Sequence, residues 1–460
     1  MDFRSLLLLP VVFYPVVATA APNLIVIMAD DLGYSDVGFN GCKDIPTPNI
    51  DSIASNGVRC TNGYVSYSVC GPSRAGFITG RYQQRFGFER NPQYKPNDPD
   101  MGLTRKEKTI AELLAPVGYH SGIIGKWHLG AHAPTSHPMK RGFNEFYGHL
   151  GGGHKYMPED LMIKDSAKAR GEAESYRTWI LKNHTPVPPR KYLTDEFSGE
   201  AVSFLERNQD KPFFLFLSYN APHTPLQATT KYLDRFSHIK DPKRKIYAAM
   251  VSAVDDGVGL LLKSLSEQKL EEKTIVAFLS DNGEPITKNA SSNTPLRGAK
   301  GDVWEGGHRV PFALQWKGTL PAGKIYDHPV SSLDFAATMA DLSGAKVDKA
   351  KPLDGVNLIP YLKGENTELP HEALYLRKFD QQRYSVRKGK YKLVIPFLNG
   401  KPQLYDLEED IGETSDLALV KPKILSELDA LRQEWSAQLI EPTFMGLIHL
   451  PSRNKKKNKK

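Results

Sequence analysis

Two pairs of oxygen-bearing side chains each come just after an apolar run of strand length. The first pair is Asp30 and Asp31, and the second is Asp281 and Asn282. Carboxylate and amide oxygens suit a hard divalent cation such as calcium, whereas zinc more often takes His or Cys. Either pair alone would more often start a loop or cap a helix. Two pairs on matching strands together favour a calcium site.

A second candidate for chemistry is Cys70, which opens the stretch Cys70-Gly-Pro-Ser-Arg74. Pro72 suits the start of a helix, so we expect Cys70 at the positive end of a helix, where developing negative charge is stabilised. A lone cysteine before Gly-Pro is usually a small buried apolar side chain. The flanking residues favour a functional one, because Cys70 to Arg81 resembles the type I sulfatase signature Cys-x-Pro-Ser-Arg and its continuation. The resemblance covers most of the chain and is strongest over residues 22–81.

This resemblance implies a modified nucleophile and one metal ion. In type I sulfatases the signature cysteine is oxidised to formylglycine, whose aldehyde hydrates to a geminal diol. One hydroxyl attacks sulfur, and the second lets the sulfated hemiacetal collapse and expel sulfate, whereas a serine sulfate would need a second hydrolysis. The metal is expected to hold the sulfate and to polarise the nucleophile. The implied ligands of one Ca²⁺ are Asp30, Asp31, Asp281, Asn282 and the modified Cys70.

Five further residues match catalytic positions of the family. Arg74 resembles the arginine that orients the hydrate, and Lys126 and Lys300 resemble the cations that bind the sulfate oxygens. His128 resembles the histidine that holds the hydrate and helps to deprotonate its second hydroxyl, while His223 resembles the one that protonates the leaving alcohol. Taken singly, each would more often be a surface or structural residue. Their places in matching motifs favour catalysis, in which electrostatic stabilisation of the sulfate oxygens should dominate.

The segment around residue 300 extends the resemblance. Residues 296–311 resemble the family loop Lys-Gly-x-x-x-Glu-Gly-Gly-x-Arg-x-Pro, in which we expect Glu305 and Arg309 to be structural. A polar family position near the sulfate does not map cleanly onto residues 148–154. We predict three substrate contacts: His149, His154 and Arg297.

The elements that must position these residues alternate along the chain. Four apolar runs that end in polar side chains predict buried parallel strands. They cover residues 24–28, 120–125, 213–217 and 274–279, with helical patterns at residues 108–115, 196–208 and 243–268. This alternation indicates an α/β fold with a large, mixed, mostly parallel sheet between helices, and the resemblance implies the same alkaline-phosphatase-like fold. Ligands of such sheets bind at the carboxyl ends of the strands, so we expect one shared site.

The pattern changes after residue 364. Short alternating stretches and one helical pattern predict a small antiparallel sheet with a helix. They lie at residues 373–377, 384–387, 391–395, 404–407 and 423–438. We therefore place a catalytic domain at residues 21–364 and a C-terminal subdomain at residues 365–450. Residues 151–189 are rich in Gly, Lys and Pro and predict a long excursion that shapes the substrate pocket.

The two ends of the chain differ from its middle. Residues 1–20 hold a short apolar run that ends in Ala-Thr-Ala, which predicts a cleaved signal and an exported, periplasmic or secreted protein. This run is too short for a comfortable membrane span, and no later run reaches about 18 apolar residues. Residues 451–460 hold Arg453 and five lysines, and without these six charges the net charge of +8 falls to +2. We predict a solvated, disordered tail that could alternatively bind an anionic polymer, and we expect no nucleic-acid partner.

The other two cysteines leave two possibilities open. The chain has three cysteines, too few for a disulfide framework in an exported protein. Cys42 and Cys60 either pair with each other or remain independent thiols.

The expected substrate is a sulfated glycan. Export, the basic segment between Lys155 and Lys191 and the run from Tyr82 to Glu89 resemble environmental bacterial sulfatases that act on algal or animal polysaccharides. The motifs do not specify the sugar or the sulfate position, because pocket loops vary while the sulfate site stays fixed. A formylglycine-generating or anaerobic sulfatase-maturating enzyme is the implied protein partner.

Two alternatives stay open from the sequence. Some formylglycine enzymes of similar sequence cleave phosphodiesters or phosphonate esters, although phosphatases of the superfamily usually carry two metals and a Ser or Thr nucleophile. The other alternative is a non-catalytic protein that binds polyanionic glycans and leaves Cys70 unmodified. The single metal set and the complete set of catalytic residues favour the sulfatase.

Overall fold

The structure is a computed structural model that describes residues 21–160, 175–285 and 289–448. The predicted signal and the predicted basic tail lie outside the described residues. The strands are β1 (Asn23–Ala29), β2 (Val58–Cys60), β3 (Gly63–Tyr64), β4 (His120–Lys126), β5 (Glu145–His149), β6 (Ile180–Lys182), β7 (Thr185–Val187), β8 (Phe213–Ser218), β9 (Thr274–Ser280), β10 (Phe312–Gln315), β11 (Lys324–Tyr326), β12 (Val330–Ser331), β13 (Leu374–Lys378), β14 (Arg383–Lys388), β15 (Tyr391–Ile395) and β16 (Gln403–Asp406). The α-helices are α1 (Pro48–Ser55), α2 (Cys70–Thr79), α3 (Ile110–Leu114), α4 (Leu193–Asn208), α5 (Thr230–Leu233), α6 (Pro242–Glu267), α7 (Glu305–His308), α8 (Asp334–Ser343), α9 (Ile359–Lys363) and α10 (Pro422–Ser436).

The four predicted strands form the centre of a ten-stranded sheet. The strand order is β11-β2-β10-β9-β1-β8-β4-β5-β6-β7, and the five strands from β9 to β5 are parallel. The strands β10, β6 and β7 run antiparallel to their inner neighbours. The predicted mixed, mostly parallel sheet is therefore confirmed, and all parallel strands point their carboxyl ends to one edge.

Each face of this sheet is covered by helices. Alternate side chains of β1 point to opposite faces, so Val26 packs into one apolar cluster and Ile27 into the other. The cluster around Val26 includes residues of α2, α3 and α8, whereas the cluster around Ile27 includes residues of α1, α4 and α6. Burial on both faces explains why β1, β8 and β9 are apolar almost throughout.

The C-terminal part adds a four-stranded antiparallel sheet, β13-β14-β15-β16, with α10 packed beside it. The antiparallel sheet and its helix agree with the expected fold class. The predicted boundary at residue 364 falls just after α9, which ends at Lys363, and remains a prediction. No helix within the described ranges has both the length and the apolar character needed to cross a bilayer.

Two details differ from the expectation or narrow it. Helix α3 is shorter than the predicted 108–115, because Thr109 forms a capping box with Glu112 and a 3-10 turn with Pro116 follows. Cys42 and Cys60 are free thiols, the first half-exposed and the second buried. The structure therefore supports independent thiols and not a disulfide.

Candidate active site

The carboxyl edge of the parallel strands collects the predicted site residues. Strand β1 leads to Asp30 and Asp31, and β9 leads to Asp281 and Asn282. The backbone N–H of Asp281 donates to the carbonyl of Ala29 (3.0 Å), so the two turns start side by side. The neighbouring strands place three more site residues at this edge: Lys126 at the end of β4, His128 just after it, and His223 after β8.

Cys70 is the first residue of helix α2, so it lies at the start of the helix as expected, although the helix begins two residues before Pro72. The backbone N–H of Gly71 donates to Oδ1 of Asn91 (2.8 Å), and a Cβ at Gly71 would lie 2.9 Å from that oxygen. The glycine therefore allows a close approach that fixes the first turn. The helix ends at Gly80, which has a left-handed φ of 65°. Cys70 is only 2% exposed.

Three buried carboxylates converge beside this helix start. One oxygen from each of Asp30, Asp31 and Asp281 lies within 4.8 Å of the others. Among the described residues, Oδ1 of Asp30 and Oδ1 of Asn282 are buried and have no hydrogen-bond partner. Unpartnered buried oxygens are costly. An all-oxygen donor set with two such atoms fits a hard divalent cation such as Ca²⁺.

Two lysines reach the same place. Nζ of Lys126 lies 2.6 Å from Oδ2 of Asp30, and both side chains are fully buried. Nζ of Lys300 lies 2.6 Å from Oδ1 of Asp31 and 3.1 Å from Sγ of Cys70. Two ammonium charges therefore lie next to the carboxylates, and one of them touches the thiol.

Arg74, one turn after Cys70, connects the helix to the sheet edge. Its Nε donates to Oδ2 of Asp281 (2.9 Å), and both side chains are fully buried. Its Nη1 donates to the carbonyl of Lys126 (3.2 Å) and to Oγ of Ser218. Sequence reasoning missed Ser218, although its position as the last residue of β8 could have indicated it. The guanidinium thus holds α2, β4, β8 and the turn after β9 together.

The burial of these carboxylates changes their proton affinity. Burial raises the pKa of Asp30 to about 8, Asp281 adds to the rise, and Lys126 opposes it. Burial also tends to raise the pKa of Asp31. The nearby Lys300 outweighs this effect and holds the pKa of that carboxyl below its usual range. The site therefore contains one carboxyl that resists ionisation and one that is ionised.

The Cys70 thiol is not prepared to act as a thiolate. Burial raises its pKa to about 11, although Lys126 and Lys300 both favour the charged form. The expected benefit of the helix terminus is thus outweighed by desolvation. Because the thiolate is the reactive species, an unmodified Cys70 is a weak nucleophile near neutral pH.

Two histidines flank the carboxylates. Nδ1 of His223 donates to the carbonyl of Thr224 (2.6 Å), which leaves Nε2 3.5 Å from Oδ2 of Asp31. Burial lowers the pKa of His223 to about 3, and Asp31 opposes this effect. His128 has a left-handed φ of 58°, and neither ring nitrogen bonds to any described residue. Burial and then Lys126 place the pKa of His128 well below its ordinary value.

The three predicted substrate contacts have different surroundings. His149 is fully buried at the end of β5, and its ring lies 4.9 Å from that of His154. The two ring nitrogens of His154 lie 2.9 and 2.7 Å from the backbone carbonyls of Lys155 and Thr178, and the neutral ring donates to one of them. Arg297 is exposed and stacks at 3.7 Å over Trp304. These positions do not test the contacts, which remain predictions.

The C-terminal sheet holds the loop that carries Lys300. Nζ of Lys378 and Nη1 of Arg383 both donate to the carbonyl of Gly301, at 2.6 and 3.3 Å. Nη2 of Arg383 also pairs with Asp302 (2.8 Å). Burial lowers the pKa of Lys378 to about 7, and Arg383 adds to that effect. Sequence reasoning missed this clamp, since nothing local in β13 or β14 indicates a distant partner.

A buried ion network makes a second connection between the C-terminal sheet and the segment that follows Lys300. Nζ of Lys392 lies 2.7 Å from Glu305 and 2.9 Å from Glu413, and all three side chains are fully buried. The backbone N–H of Glu305 donates to Oε2 of Glu413 (2.7 Å) at the start of α7. Nη1 of Arg309 pairs with Glu305 (3.2 Å). Glu305 and Arg309 thus make the structural contacts that were expected of them.

Family comparisons agree with the fold and the site. A family model described as Sulfatase matches residues 22–345, and one described as N-sulphoglucosamine sulphohydrolase, C-terminal, matches residues 299–438. Together with the fold, these matches define a sulfuric ester hydrolase of the alkaline phosphatase superfamily. The chain belongs to the sulfatase family.

Curated relatives carry the same activity in their names. The chain is 32% identical to human steryl-sulfatase over 427 residues, which cover 78% of this chain and 72% of the relative. It is 33% identical to the N-acetylgalactosamine-6-sulfatase of Canis lupus familiaris over 398 residues, covering 82% of this chain and 72% of the relative.

Solved structures extend the similarity to nearly the whole chain. The crystal structure of Ps i-CgsB in complex with k-i-k-neocarrahexaose has a TM-score of 0.86 and 40% sequence identity, covering 93% of this chain and 95% of that one. The PsFucS1 sulfatase from Pseudoalteromonas sp. has a TM-score of 0.77 and 26% identity, covering 92% of this chain and 91% of that one.

Proposed function

We propose that this sulfatase removes sulfate from a sulfated carbohydrate, with a formylglycine made from Cys70 as the nucleophile and one Ca²⁺ at the carboxylate cluster. The observation that carries the proposal is the meeting of the α2 start, three carboxylates and Lys300 around one buried thiol. The carbohydrate is supported by the oligosaccharide bound to Ps i-CgsB, to which this chain is 40% identical. Export and a maturating partner enzyme are parts of the same proposal.

The calcium ligands in this proposal are Asp30, Asp31, Asp281, Asn282 and the modified residue 70. The unpartnered oxygens of Asp30 and Asn282 are the contacts that support the assignment. When bound, the cation supplies positive charge to the sulfate oxygens and to the nucleophile. The protein's contribution is to hold these oxygens in a buried cluster.

Lys126 and Lys300 bind the sulfate group in this mechanism. Nζ of Lys300 lies 3.1 Å from Sγ of Cys70, so an ester attacked from position 70 has its oxygens beside that ammonium group. The charges are fixed before the substrate arrives and are shielded from water, which makes them effective in the transition state. Arg74 fixes the position of α2 relative to the sheet edge through its ion pair with Asp281.

Proton transfer falls to the two histidines. The hydrogen bond from Nδ1 of His223 to Thr224 leaves Nε2 directed at the site, where it donates to the leaving oxygen. Burial opposes a charged imidazole, but a bound sulfate ester brings a negative charge that raises the pKa of a neighbouring histidine. Neither ring nitrogen of His128 bonds to a described residue, so both can exchange protons with the hydroxyl groups at position 70.

Calcium should stabilise the protein as well as support its activity. We expect EDTA to abolish turnover, Ca²⁺ to restore it, and saturation at 100 times the dissociation constant to add about 2.7 kcal/mol of stability. Thermal unfolding with and without Ca²⁺ measures this gain. Asp281→Asn should lose most of the gain, whereas Asp256→Asn, which removes an exposed ion pair with Arg235, should keep it. An equal gain in wild type and Asp281→Asn would place the ion elsewhere.

The proposed function is tested by mass spectrometry together with a substrate comparison. Protein produced with a sulfatase-maturating enzyme is digested with trypsin, and the peptide that ends at Arg74 is examined for formylglycine at position 70. The same protein is then assayed on 4-nitrophenyl sulfate, on bis(4-nitrophenyl) phosphate and on k-i-k-neocarrahexaose. We expect formylglycine and release of sulfate. Faster cleavage of the phosphodiester would support the phosphoryl-transfer alternative, and an unmodified thiol without turnover would support a binding protein.

A further inference from the structure

The residue 151–189 excursion places an aromatic side chain against His223. The ring centroids of Tyr176 and His223 are 6.1 Å apart, with an angle of 69° between the planes. Tyr176 is half-buried. Its carbonyl accepts from the backbone N–H of Lys155 (3.0 Å), which fixes the backbone at this position.

Gly153 provides the space for this ring. A Cβ at Gly153 would lie 2.4 Å from Cζ and 2.7 Å from the hydroxyl oxygen of Tyr176. These distances are shorter than any van der Waals contact, so a larger residue there would displace the tyrosine. The hydroxyl of Tyr156 donates to the carbonyls of Asn220 (2.6 Å) and His223 (2.7 Å). The excursion therefore holds both the loop of His223 and the aromatic ring that contacts it.

The position of this ring determines what it can touch. Nε2 of His223 lies 3.5 Å from Oδ2 of Asp31, and Asp31 also pairs with Lys300, so in the proposed function the sulfur end of a substrate lies on that side. With His223 as the acid, the leaving oxygen would lie at Nε2, and the group attached to it would extend away from the carboxylates. The Tyr176 ring contacts the same histidine that would protonate the leaving oxygen.

We propose that Tyr176 is a specificity-determining residue whose ring packs against the sugar that carries the scissile sulfate. This inference rests on the proposed function. Aromatic side chains offer a flat apolar surface with a polar tip, which suits the C–H face and the hydroxyl groups of a pyranose. The cations of the site then recognise the sulfate, while Tyr176 recognises the ring that bears it.

The test compares Tyr176→Ala and Tyr176→Phe with the control Tyr384→Ala. Tyr384 is also half-buried but contacts Arg432 of α10 in the C-terminal subdomain. Values of kcat and KM are measured on k-i-k-neocarrahexaose, galactose 4-sulfate, galactose 6-sulfate and 4-nitrophenyl sulfate. Binding of the same sugars is measured by calorimetry in a Cys70→Ala background.

We expect Tyr176→Ala to raise KM and the dissociation constant for the cleaved sugar about tenfold, which is ~1.4 kcal/mol. The loss of Tyr176→Ala on 4-nitrophenyl sulfate should be smaller. Tyr176→Phe should stay within about threefold of wild type because it keeps the ring. The control Tyr384→Ala should match wild type. Unchanged sugar KM in Tyr176→Ala overturns the inference while the sulfatase assignment stands. A loss confined to kcat assigns Tyr176 to positioning His223 and also overturns it. Wild-type turnover of the aryl sulfate with no turnover of any sugar overturns it together with the carbohydrate assignment.

Discussion

Replacing Cys70 by alanine should lower kcat by about 10⁴-fold or more, because the change removes the proposed nucleophile. The fold and most of the Ca²⁺-dependent stabilisation should survive, since four of the five proposed ligands, Asp30, Asp31, Asp281 and Asn282, remain in place. Cys70→Ser should at best transfer sulfate once and then stop, because a serine sulfate has no second hydroxyl to expel it. Sulfate release is measured by steady-state and single-turnover assays on matured protein.

Cys60→Ala is the matched control for this experiment. Cys60 is also 2% exposed but lies in β2, and its pKa is likewise raised by burial. Its variant should keep wild-type kcat, so any loss in Cys70→Ala cannot be ascribed to removal of a buried thiol. Near-normal turnover in Cys70→Ala would refute the proposed nucleophile.

Replacing His223 by alanine should separate substrates by their leaving groups. A sugar alcohol needs a proton as it departs, so loss of the acid should lower kcat/KM by about 10²–10⁴-fold. The 4-nitrophenolate ion leaves without a proton, and its loss should be about tenfold or less. The measurement is kcat/KM on 4-nitrophenyl sulfate and on whichever sugar sulfate the wild type hydrolyses.

His137→Ala provides the comparison for His223→Ala. His137 is also buried, but it stacks on His184 at 4.3 Å and caps a short 3-10 helix. Whatever activity this variant loses should be lost equally on both substrates. The acid role of His223 would be refuted if its variant also lost equal activity on both.

The sequence predicted the site where its residues are adjacent in the chain to strand ends. Asp30, Lys126 and Asp281 each follow an apolar run, and parallel strands bring their carboxyl ends to one edge. Pro72 likewise predicted a helix that begins near Cys70. These inferences depend only on local patterns and on a general property of parallel sheets.

Other parts of the site could not be predicted because they depend on distant contacts. Ser218 lies 144 residues from the Arg74 side chain that it accepts from, and Lys378 lies 77 residues from the Gly301 carbonyl that it contacts. The high pKa of Cys70 follows from complete burial, which a helix-terminus argument does not contain. Tyr176 is one aromatic residue in a polar excursion, and no local pattern relates it to His223.

The depth of Cys70 has a consequence for the order of events during synthesis. The thiol is 2% exposed, and Lys300, which contacts it, is encoded 230 residues later. At 5–20 residues per second, a ribosome needs on the order of 10–50 s to add that length. During this interval the nascent chain presents a thiol that the finished protein encloses. In the proposed function a maturating enzyme would therefore compete with folding, and we expect slower translation or export to increase the fraction of modified chains.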